Sequence, residues 1–484
     1  MRLQSYYYTA FSVRFVLELR KKYFMAERVE PAVLPRDLIR YRADLAEKII
    51  DNIAGGGNPI RAHVNAWTAY EDLCRVEAVP INGAALHLGN IDAAGFSKEQ
   101  GFEDLALELG IDPSGKVYER IEADKRELDK SYFDRRQPLT QYGSFNGIAE
   151  VRQAFADYLD DWGGITISPE GTFFSSGGAS EEARRLITAL GLYNQDKNQP
   201  ANFLTTVPNY GPIINMARDN SQMEVITCQT TAEDNYFISP ETAKILVKEN
   251  NIGIFYLVPI GNPSSAIISP EQIEAVTKAV LEANPNITFL VDLAYLTTID
   301  TDQAKAILAG FVKAGVLNNC LFLTSLSKSH GRPGDRLGAG HTLNQELLSF
   351  IRMATEQANP SESRSAMLEA VAVLKQVKPE TIKKLAQLYG ERRQALIEVL
   401  GQINQNAGKE VFANLDNLRA DGALYVYPEL GAEIGNALNL FIQLGIMGIG
   451  GRFFGEGEES NRVRLAIGTI TTEEIKNIPD LILK

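Results

Sequence analysis

Residues 320–338, CLFLTSLSKSHGRPGDRLG, join a short apolar run to a polar turn that carries Lys328. Similar apolar runs lie upstream, separated by segments of helical periodicity; they are residues 172–174, 203–207, 225–228, 252–258 and 287–293. Nearly continuous apolar strands that alternate with helices are typical of a parallel-rich sheet covered by helices on both faces. We therefore predict an α/β protein, with a three-layer large domain built on a mostly parallel mixed sheet.

The rest of the chain surrounds this α/β centre. A chain of 484 residues is long enough for two or three domains. Glycine and proline at residues 55–59 interrupt a helical N-terminal segment, and strand-like runs reappear near the C-terminus, at residues 423–427 and 462–467. The predicted division is a helical extension at 1–80, an arm and small-domain part at 81–164, the large domain at 165–345 and a smaller α+β domain at 346–484.

Composition argues against several classes of partner. The formal net charge is −13, and acidic surfaces repel both nucleic acid and anionic membranes. No apolar run approaches the roughly 18 residues of a membrane span, and charged residues interrupt the N-terminus where a signal peptide would need an apolar core. The three cysteines are far apart and there are four histidines, so neither a disulfide framework nor a metal site is expected. The simplest location is the cytoplasm.

Polar residues follow four of the predicted strands, where parallel sheets bind their ligands. They are Gly177 and Gly178 before a helix, Asn262, Asp292 with Tyr295, and Lys328 with Arg336. A glycine-rich turn at a helix start is an anion site. A desolvated lysine becomes a nucleophilic amine, and a desolvated aspartate needs a cationic partner such as a pyridinium nitrogen.

These residues resemble the fold-type I pyridoxal-phosphate enzymes, specifically the class I/II aminotransferases. The resemblance lies in the lysine motif Ser325-x-Ser327-Lys328-x-x-Gly331-x-x-Gly334-x-Arg336-x-Gly338, in Asp292-x-x-Tyr295 and in Asn262-Pro263. Their order and spacing also agree, and the resemblance extends from about Tyr142 to the C-terminus. It implies pyridoxal 5′-phosphate as the cofactor.

The resemblance implies a role for each matched residue. Lys328 would form the Schiff base and move the proton during catalysis, while Asp292 would pair with the pyridine N–H. Asn262 and Tyr295 would hydrogen-bond the 3-oxygen of the ring. The phosphate would be held by Gly178, Ala179, Ser180, Ser325 and Arg336, although this loop is one residue longer than usual and its assignments could shift by one.

Further residues would complete the site. Tyr210 would stack on the cofactor ring, and Tyr142 would reach the phosphate of a neighbouring subunit, which implies a homodimer. Arg464 is expected to bind the substrate carboxylate, and Arg462, on the same face of the strand, is the competing candidate. Gly89 is a further candidate on the substrate side. His330 beside the lysine motif is interpreted as packing or hydrogen bonding, not catalysis.

The leading functional prediction is an aminotransferase that acts on an amino acid and a 2-oxo acid. The same scaffold also supports lyases, decarboxylases, cyclases and oxidative deaminases. The N-terminal extension has no clear family counterpart and keeps these alternatives open. A non-catalytic pyridoxal-phosphate-binding regulator is disfavoured, because Lys328, Asp292 and Arg336 are all present.

Overall fold

The structure is a computed structural model that describes residues 36–55, 58–76, 83–86, 91–135, 142, 144–220, 223–358 and 361–482. Its strands are, in chain order, β1 (Ala84–Ala85), β2 (Thr172–Ser175), β3 (Asn202–Val207), β4 (Val225–Gln229), β5 (Ile252–Leu257), β6 (Thr288–Asp292), β7 (Cys320–Ser325), β8 (Gly338–Thr342), β9 (Phe412–Ala413), β10 (Tyr425–Val426), β11 (Glu429–Leu430), β12 (Ile446–Met447), β13 (Ile449–Gly450) and β14 (Val463–Ala466).

Seven of these strands form one sheet, in the order β2-β8-β7-β6-β5-β3-β4. Strand β8 runs antiparallel to both of its neighbours, and the other pairs are parallel. The predicted mostly parallel mixed sheet is therefore confirmed. The carboxyl ends of β3, β5, β6 and β7 lie along one edge, which brings together the polar residues that follow them.

Helices cover both faces of the sheet, as the alternation of side chains along β6 shows. Phe289 and Val291 join one hydrophobic cluster, which includes residues of the helices Ala149–Gly163, Pro270–Ala283 and Thr301–Ala314. Leu290 points the other way and joins a second cluster, which includes residues of the helices Gly178–Asp196 and Gln345–Ala358. The predicted three-layer arrangement is confirmed.

Local sequence explains where several helices begin. Ser269 and Gln272 form a capping box, and the Asp300 carboxylate accepts hydrogen bonds from two backbone N–H groups of the first turn. The remaining α-helices of the described ranges are Arg36–Ala54, Pro59–Val76, Leu105–Glu108, Lys116–Asp134, Gly211–Arg218, Pro240–Glu249, Leu326–Ser329, Arg364–Gln376, Pro379–Ala407, Ala437–Leu444 and Thr472–Ile482. None of the helices in these ranges meets the length and apolarity needed to cross a bilayer.

Small sheets and long helices make up the C-terminal part. Strand β14, which carries Arg464, pairs antiparallel with β10 and β13, and β11 pairs with β9. Both strands expected here, near residues 423–427 and 462–467, are present as β10 and β14. The boundaries of the four predicted domains remain predictions.

The two described helices of the N-terminal extension pack on each other and on the C-terminal part. Arg42 Nη2 donates a hydrogen bond of 2.8 Å to the Tyr70 hydroxyl. The Tyr70 ring also lies edge-on to Phe441, with 6.0 Å between ring centroids. The break predicted at residues 55–59 falls between the helices Arg36–Ala54 and Pro59–Val76. Residues 1–35 lie outside the described residues.

Substitution of a glycine in the central strand β5 tests how closely the large sheet is packed. A Cβ at Gly253 would lie 1.7 Å from the Pro200 carbonyl oxygen, so we expect Gly253→Ala to destabilise the protein by about 3 kcal/mol. A Cβ at Gly401, inside the helix Pro379–Ala407, meets nothing within 4 Å. Gly401→Ala should therefore be neutral or stabilise by up to about 1 kcal/mol. Denaturant unfolding of both variants measures the difference, and equal effects would contradict the described packing.

Candidate active site

Lys328 lies in the short helix Leu326–Ser329 that follows β7. The turn begins where the Ser325 hydroxyl accepts a hydrogen bond of 3.2 Å from the Ser327 N–H. The lysine side chain as a whole is half-buried, but the amine at its tip is enclosed. Loss of hydration, followed by the positive charges of Arg464 and Arg336, lowers the pKa of Lys328 to about 7. A large fraction of the amine is therefore uncharged and nucleophilic near neutral pH.

Asp292 ends the neighbouring strand β6. Its Oδ1 accepts a hydrogen bond of 3.0 Å from the Ala294 N–H, and its Oδ2 accepts one of 2.9 Å from the Tyr256 hydroxyl. Burial raises the pKa of the carboxyl, and these two hydrogen bonds oppose that rise. Asp292 is thus oriented on both oxygens in a desolvated site, where a cationic partner would stabilise its charge.

A chain of hydrogen bonds connects the ends of β5 and β6 to β10 and β14. Asn262 Nδ2 donates to the Tyr295 hydroxyl at 3.1 Å, and the hydroxyls of Tyr295 and Tyr425 are 2.7 Å apart. Arg464 Nη1 donates to Asn262 Oδ1 at 3.0 Å. The guanidinium of Arg464 also lies 4.4 Å from the ring centroid of Tyr425 and 5.0 Å from that of Phe454. The structure therefore brings Asn262, Tyr295 and Arg464 together.

The two competing arginines have different surroundings. Arg462 forms ion pairs with Glu429 at 2.8 Å and Glu456 at 2.9 Å. Arg464 is 2 % exposed and lies against aromatic rings and the Asn262 amide oxygen. An arginine already engaged by two carboxylates is poorly suited to bind a third. This difference supports the proposal that Arg464, and not Arg462, binds the substrate carboxylate.

The loop after β2 has the features of an anion site. The helix Gly178–Asp196 starts without a capping side chain, so its first-turn N–H groups face the loop. Gly178 has φ +74°, and a Cβ there would lie 3.0 Å from Arg336 Nη2. That same nitrogen donates to the Gly177 carbonyl at 3.0 Å. Arg336 thus lies against the loop, and only glycine allows this approach.

Tyr210 joins this loop to the end of β3. It directly precedes the helix Gly211–Arg218, and its side chain is hydrogen-bonded to Ser180. Burial raises the pKa of Tyr210, and the bond to Ser180 opposes the rise. Ala179 is packed against β8 closely enough that a Cβ at Gly338 would lie 2.6 Å from the Ala179 nitrogen. The residues predicted around the phosphate therefore meet in one place.

Two predicted residues do not join this cluster. Tyr142 is 85 % exposed, so within one chain it lies on the surface and not among the buried groups around Lys328. Gly89 lies outside the described residues. His330 is buried, and its Nδ1 is 2.8 Å from the Ser329 hydroxyl, in agreement with the hydrogen-bonding role expected for it.

Four further residues of the site are not visible in the sequence patterns. Tyr256, Tyr425 and Phe454 are aromatic residues in apolar segments, where core packing is the usual explanation. His63 belongs to the N-terminal helix Pro59–Val76, and its ring lies 6.4 Å from that of Phe453. Burial is the main cause that lowers the pKa of His63 to about 4, with smaller contributions from Arg452 and Arg464. The N-terminal extension therefore approaches the surroundings of Arg464.

Pyridoxal phosphate fits the groups that are present. The cofactor needs an amine that can attach its aldehyde carbon, a carboxylate for its ring nitrogen and donors for its phosphate. Lys328 offers the amine, with its lowered pKa, and Asp292 offers a desolvated and oriented carboxylate. The uncapped helix start beside Arg336 offers donors for the phosphate. On a three-layer α/β fold, such an arrangement is that of the fold-type I pyridoxal-phosphate-dependent transferases.

Comparison with known proteins identifies the family. The model for aminotransferase class I and II matches residues 112–482. The chain therefore belongs to the class I and II aminotransferases, and it is a pyridoxal-phosphate-dependent enzyme. Residues 1–111, which include the two N-terminal helices, lie outside the match.

Individual relatives are distant. The chain is 25% identical over 341 residues to LL-diaminopimelate aminotransferase of Maridesulfovibrio salexigens, covering 69% of this chain and 81% of that protein. It is 23% identical to 1-aminocyclopropane-1-carboxylate synthase-like protein 1 of Arabidopsis thaliana, over 58% of this chain and 59% of that protein. Among solved structures, aspartate aminotransferase from Thermus thermophilus with maleate has a TM-score of 0.65 at 16% identity, covering 87% of this chain and 95% of that chain.

The lowered pKa of Lys328 can be measured directly in the cofactor-free protein. We expect acetic anhydride to label Lys328 half-maximally near pH 7, because only the neutral amine reacts. Labelling of the exposed Lys313 is followed in the same sample as the reference for a solvent-facing amine. Mass spectrometry of the two peptides gives both curves. Half-maximal labelling of Lys328 near pH 10 would show that its amine is hydrated.

Proposed function

We propose that this enzyme transfers an amino group between an amino acid and a 2-oxo acid, with the cofactor attached to Lys328. The observation that carries the proposal is the desolvated Lys328 amine at the end of β7, beside Asp292 at the end of β6. The chain's membership of the class I and II aminotransferases supports the same reaction.

When bound, pyridoxal phosphate supplies an electron sink that makes the bonds at the substrate Cα breakable. Asp292 would hold the proton on the ring nitrogen, since a buried carboxylate favours a cationic neighbour. Tyr295 and Asn262 would orient the ring through its 3-oxygen, and Tyr210 would cover one face. Lys328 Nζ would accept the proton from the substrate Cα and return it to the carbon on the other side of the amino nitrogen, a task suited to an amine whose pKa lies near 7.

Arg464 would bind the carboxylate of the amino acid, through the paired N–H donors of its guanidinium. Its ring contacts and its hydrogen bond to Asn262 hold it in place beside the proposed cofactor site. The neighbouring Arg462 would have a structural role, since its ion pairs connect β14 to Glu429 and Glu456.

Replacing each arginine by lysine separates the two roles. We expect Arg464→Lys to raise KM for the amino acid about 10- to 100-fold, because one ammonium cannot replace a two-pronged contact. Arg462→Lys should leave KM within about twofold and lower the melting temperature instead, since it weakens two ion pairs. Steady-state kinetics and thermal unfolding of both variants decide between them. A larger KM effect from Arg462→Lys would reverse the assignment.

We also propose a homodimer, in which Tyr142 of one subunit reaches the cofactor phosphate of the other. The high exposure of Tyr142 in a single chain supports this role. Mixed dimers of Lys328→Ala and Tyr142→Phe subunits test it, because one of their two sites would contain both native residues.

Each mixed dimer should therefore have one native site and about half the native activity, so refolding equal amounts of the two variants should restore about a quarter of the native activity to the whole mixture. Each variant alone should remain impaired. If the mixture is no better than the sum of the two variants, Tyr142 does not act across subunits. A monomeric native protein in light scattering would contradict the dimer itself.

A half-reaction panel tests the reaction type. Holoenzyme is mixed with single amino acids and no oxo acid, and the absorbance of the lysine-bound cofactor is followed. Transamination predicts one equivalent of 2-oxo acid per site, then arrest until a 2-oxo acid is added. Continued turnover that releases ammonia, carbon dioxide or a cyclised product would instead favour the lyase, decarboxylase, deaminase or cyclase alternatives. The match to the 1-aminocyclopropane-1-carboxylate synthase-like protein of Arabidopsis thaliana makes 1-aminocyclopropane-1-carboxylate a cyclised product worth assaying.

We propose the cytoplasm as the location. The three cysteines are free thiols in the described structure, and Cys74 and Cys320 are buried. Burial of a reduced thiol without a disulfide partner suits a reducing compartment. Cell fractionation with a tagged full-length chain tests this proposal.

A further inference from the structure

A second cleft lies apart from the groups around Arg464 and Asp292. It is bounded by the helices Ala149–Gly163 and Arg364–Gln376 and by the start of the helix Pro379–Ala407. Its volume is about 680 Å³, within the size range of small-molecule sites. The family resemblance assigns no role to this cleft.

His330 lines the cleft and is 3 % exposed. The Ser329 hydroxyl lies 2.9 Å from the Ser325 carbonyl, to which it can donate its one proton, and 2.8 Å from His330 Nδ1. This geometry favours the tautomer in which His330 Nδ1–H donates to Ser329, which leaves a lone pair on Nε2, on the ring edge that faces away from Ser329. Within the described ranges, no side chain or backbone donor is bonded to Nε2.

The rim of the cleft is acidic. Asp157 and Asp161 are exposed on the helix Ala149–Gly163. The basic residue of the rim, Lys375, pairs with Asp124 at 3.1 Å. Glu150 accepts a hydrogen bond of 2.5 Å from the Tyr132 hydroxyl. Asp157 and Asp161 thus give the opening a net negative potential, which attracts cations.

The floor of the cleft is apolar, with Trp162, Val371 and Leu374 among the lining residues. Burial, followed by the charge of Arg332, lowers the pKa of His330 to about 3, so the imidazole is neutral and does not repel a cation. A ligand complementary to the apolar floor, the acidic rim and His330 Nε2 has an apolar body, a positive charge and an N–H donor.

We propose that this cleft is a second ligand site, which binds a small organic ammonium ion with an apolar body. The ammonium N–H would donate to His330 Nε2 beneath the Asp157 and Asp161 carboxylates. The apolar body would lie on Trp162.

The site is connected to the catalytic lysine through two contacts. The backbone N–H of His330 donates to the Leu326 carbonyl and so closes the turn that carries Lys328. Pro379 and Ile382, at the start of the long helix, also line the cleft, and Tyr389 of that helix donates to the Lys328 carbonyl at 3.3 Å. Occupancy of the cleft should therefore alter the environment of Lys328.

Protonated N,N-dimethylphenethylamine is a suitable probe for the holoenzyme, because a tertiary amine cannot form a bond with the cofactor aldehyde. The chain has two tryptophans, so a Trp67→Phe background leaves Trp162 as the fluorescence reporter. We expect saturable quenching of Trp162, together with a shift of the absorbance of the lysine-bound cofactor. Phenethyl alcohol and 3-phenylpropionate, which lack the positive charge, should give neither signal.

Variants separate the cleft from adventitious binding. Asp157→Asn with Asp161→Asn should weaken the probe about tenfold, whereas Glu241→Gln with Asp302→Asn, on other exposed helices, should not. The N,N,N-trimethyl analogue, which lacks an N–H, should also bind about tenfold more weakly. Absence of saturable binding to the assembled holoenzyme overturns the proposal, as does equal binding by the aspartate variant. Equal binding of the trimethyl analogue overturns the role of His330.

Discussion

Burying an amine and a carboxylate at the ends of neighbouring strands costs free energy, and the other features of this active site depend on that burial. Lys328 follows β7 and Asp292 ends β6, and both lose much of their hydration. Desolvation lowers the pKa of the lysine and raises that of the aspartate. Each group is thereby suited to pyridoxal phosphate, which offers an aldehyde to the amine and a ring nitrogen to the carboxylate.

The surrounding structure keeps these groups oriented. Tyr256 and the Ala294 N–H hold both oxygens of Asp292, and the Asn262–Tyr295 pair extends through Tyr425 towards the C-terminal part. Arg464 closes this chain and also contributes to the lowered pKa of Lys328. Arg464, the proposed contact of the substrate carboxylate, therefore also affects Lys328, the proposed attachment point of the cofactor. The N-terminal extension reaches the same region through His63, although it lies outside the matched family segment.

Much of the sheet and several residues of the site could be predicted from the sequence, because both depend on local patterns. Strand β5 is apolar along its whole length, β7 is apolar over its first four residues, and Lys328 lies in a contiguous motif. The strand β8, Gly-Ala-Gly-His-Thr, has no such pattern. Its glycines lie so close to Phe173 and Ala179 that larger apolar side chains would not fit there. Tyr256 was not predictable either, since its partner Asp292 is 36 residues away and only folding joins them. The surroundings that separate Arg464 from Arg462 likewise come from distant segments.

Covalent attachment of the cofactor to Lys328 is the central claim, and reduction followed by peptide mapping tests it most directly. Purified holoenzyme is treated with sodium borohydride and digested, and the modified peptide is sequenced by mass spectrometry. The account predicts one reduced phosphopyridoxyl group per chain, on Lys328, and none in the Lys328→Ala variant. A stoichiometric adduct on another lysine, or a native protein that binds the cofactor without any adduct, would contradict it.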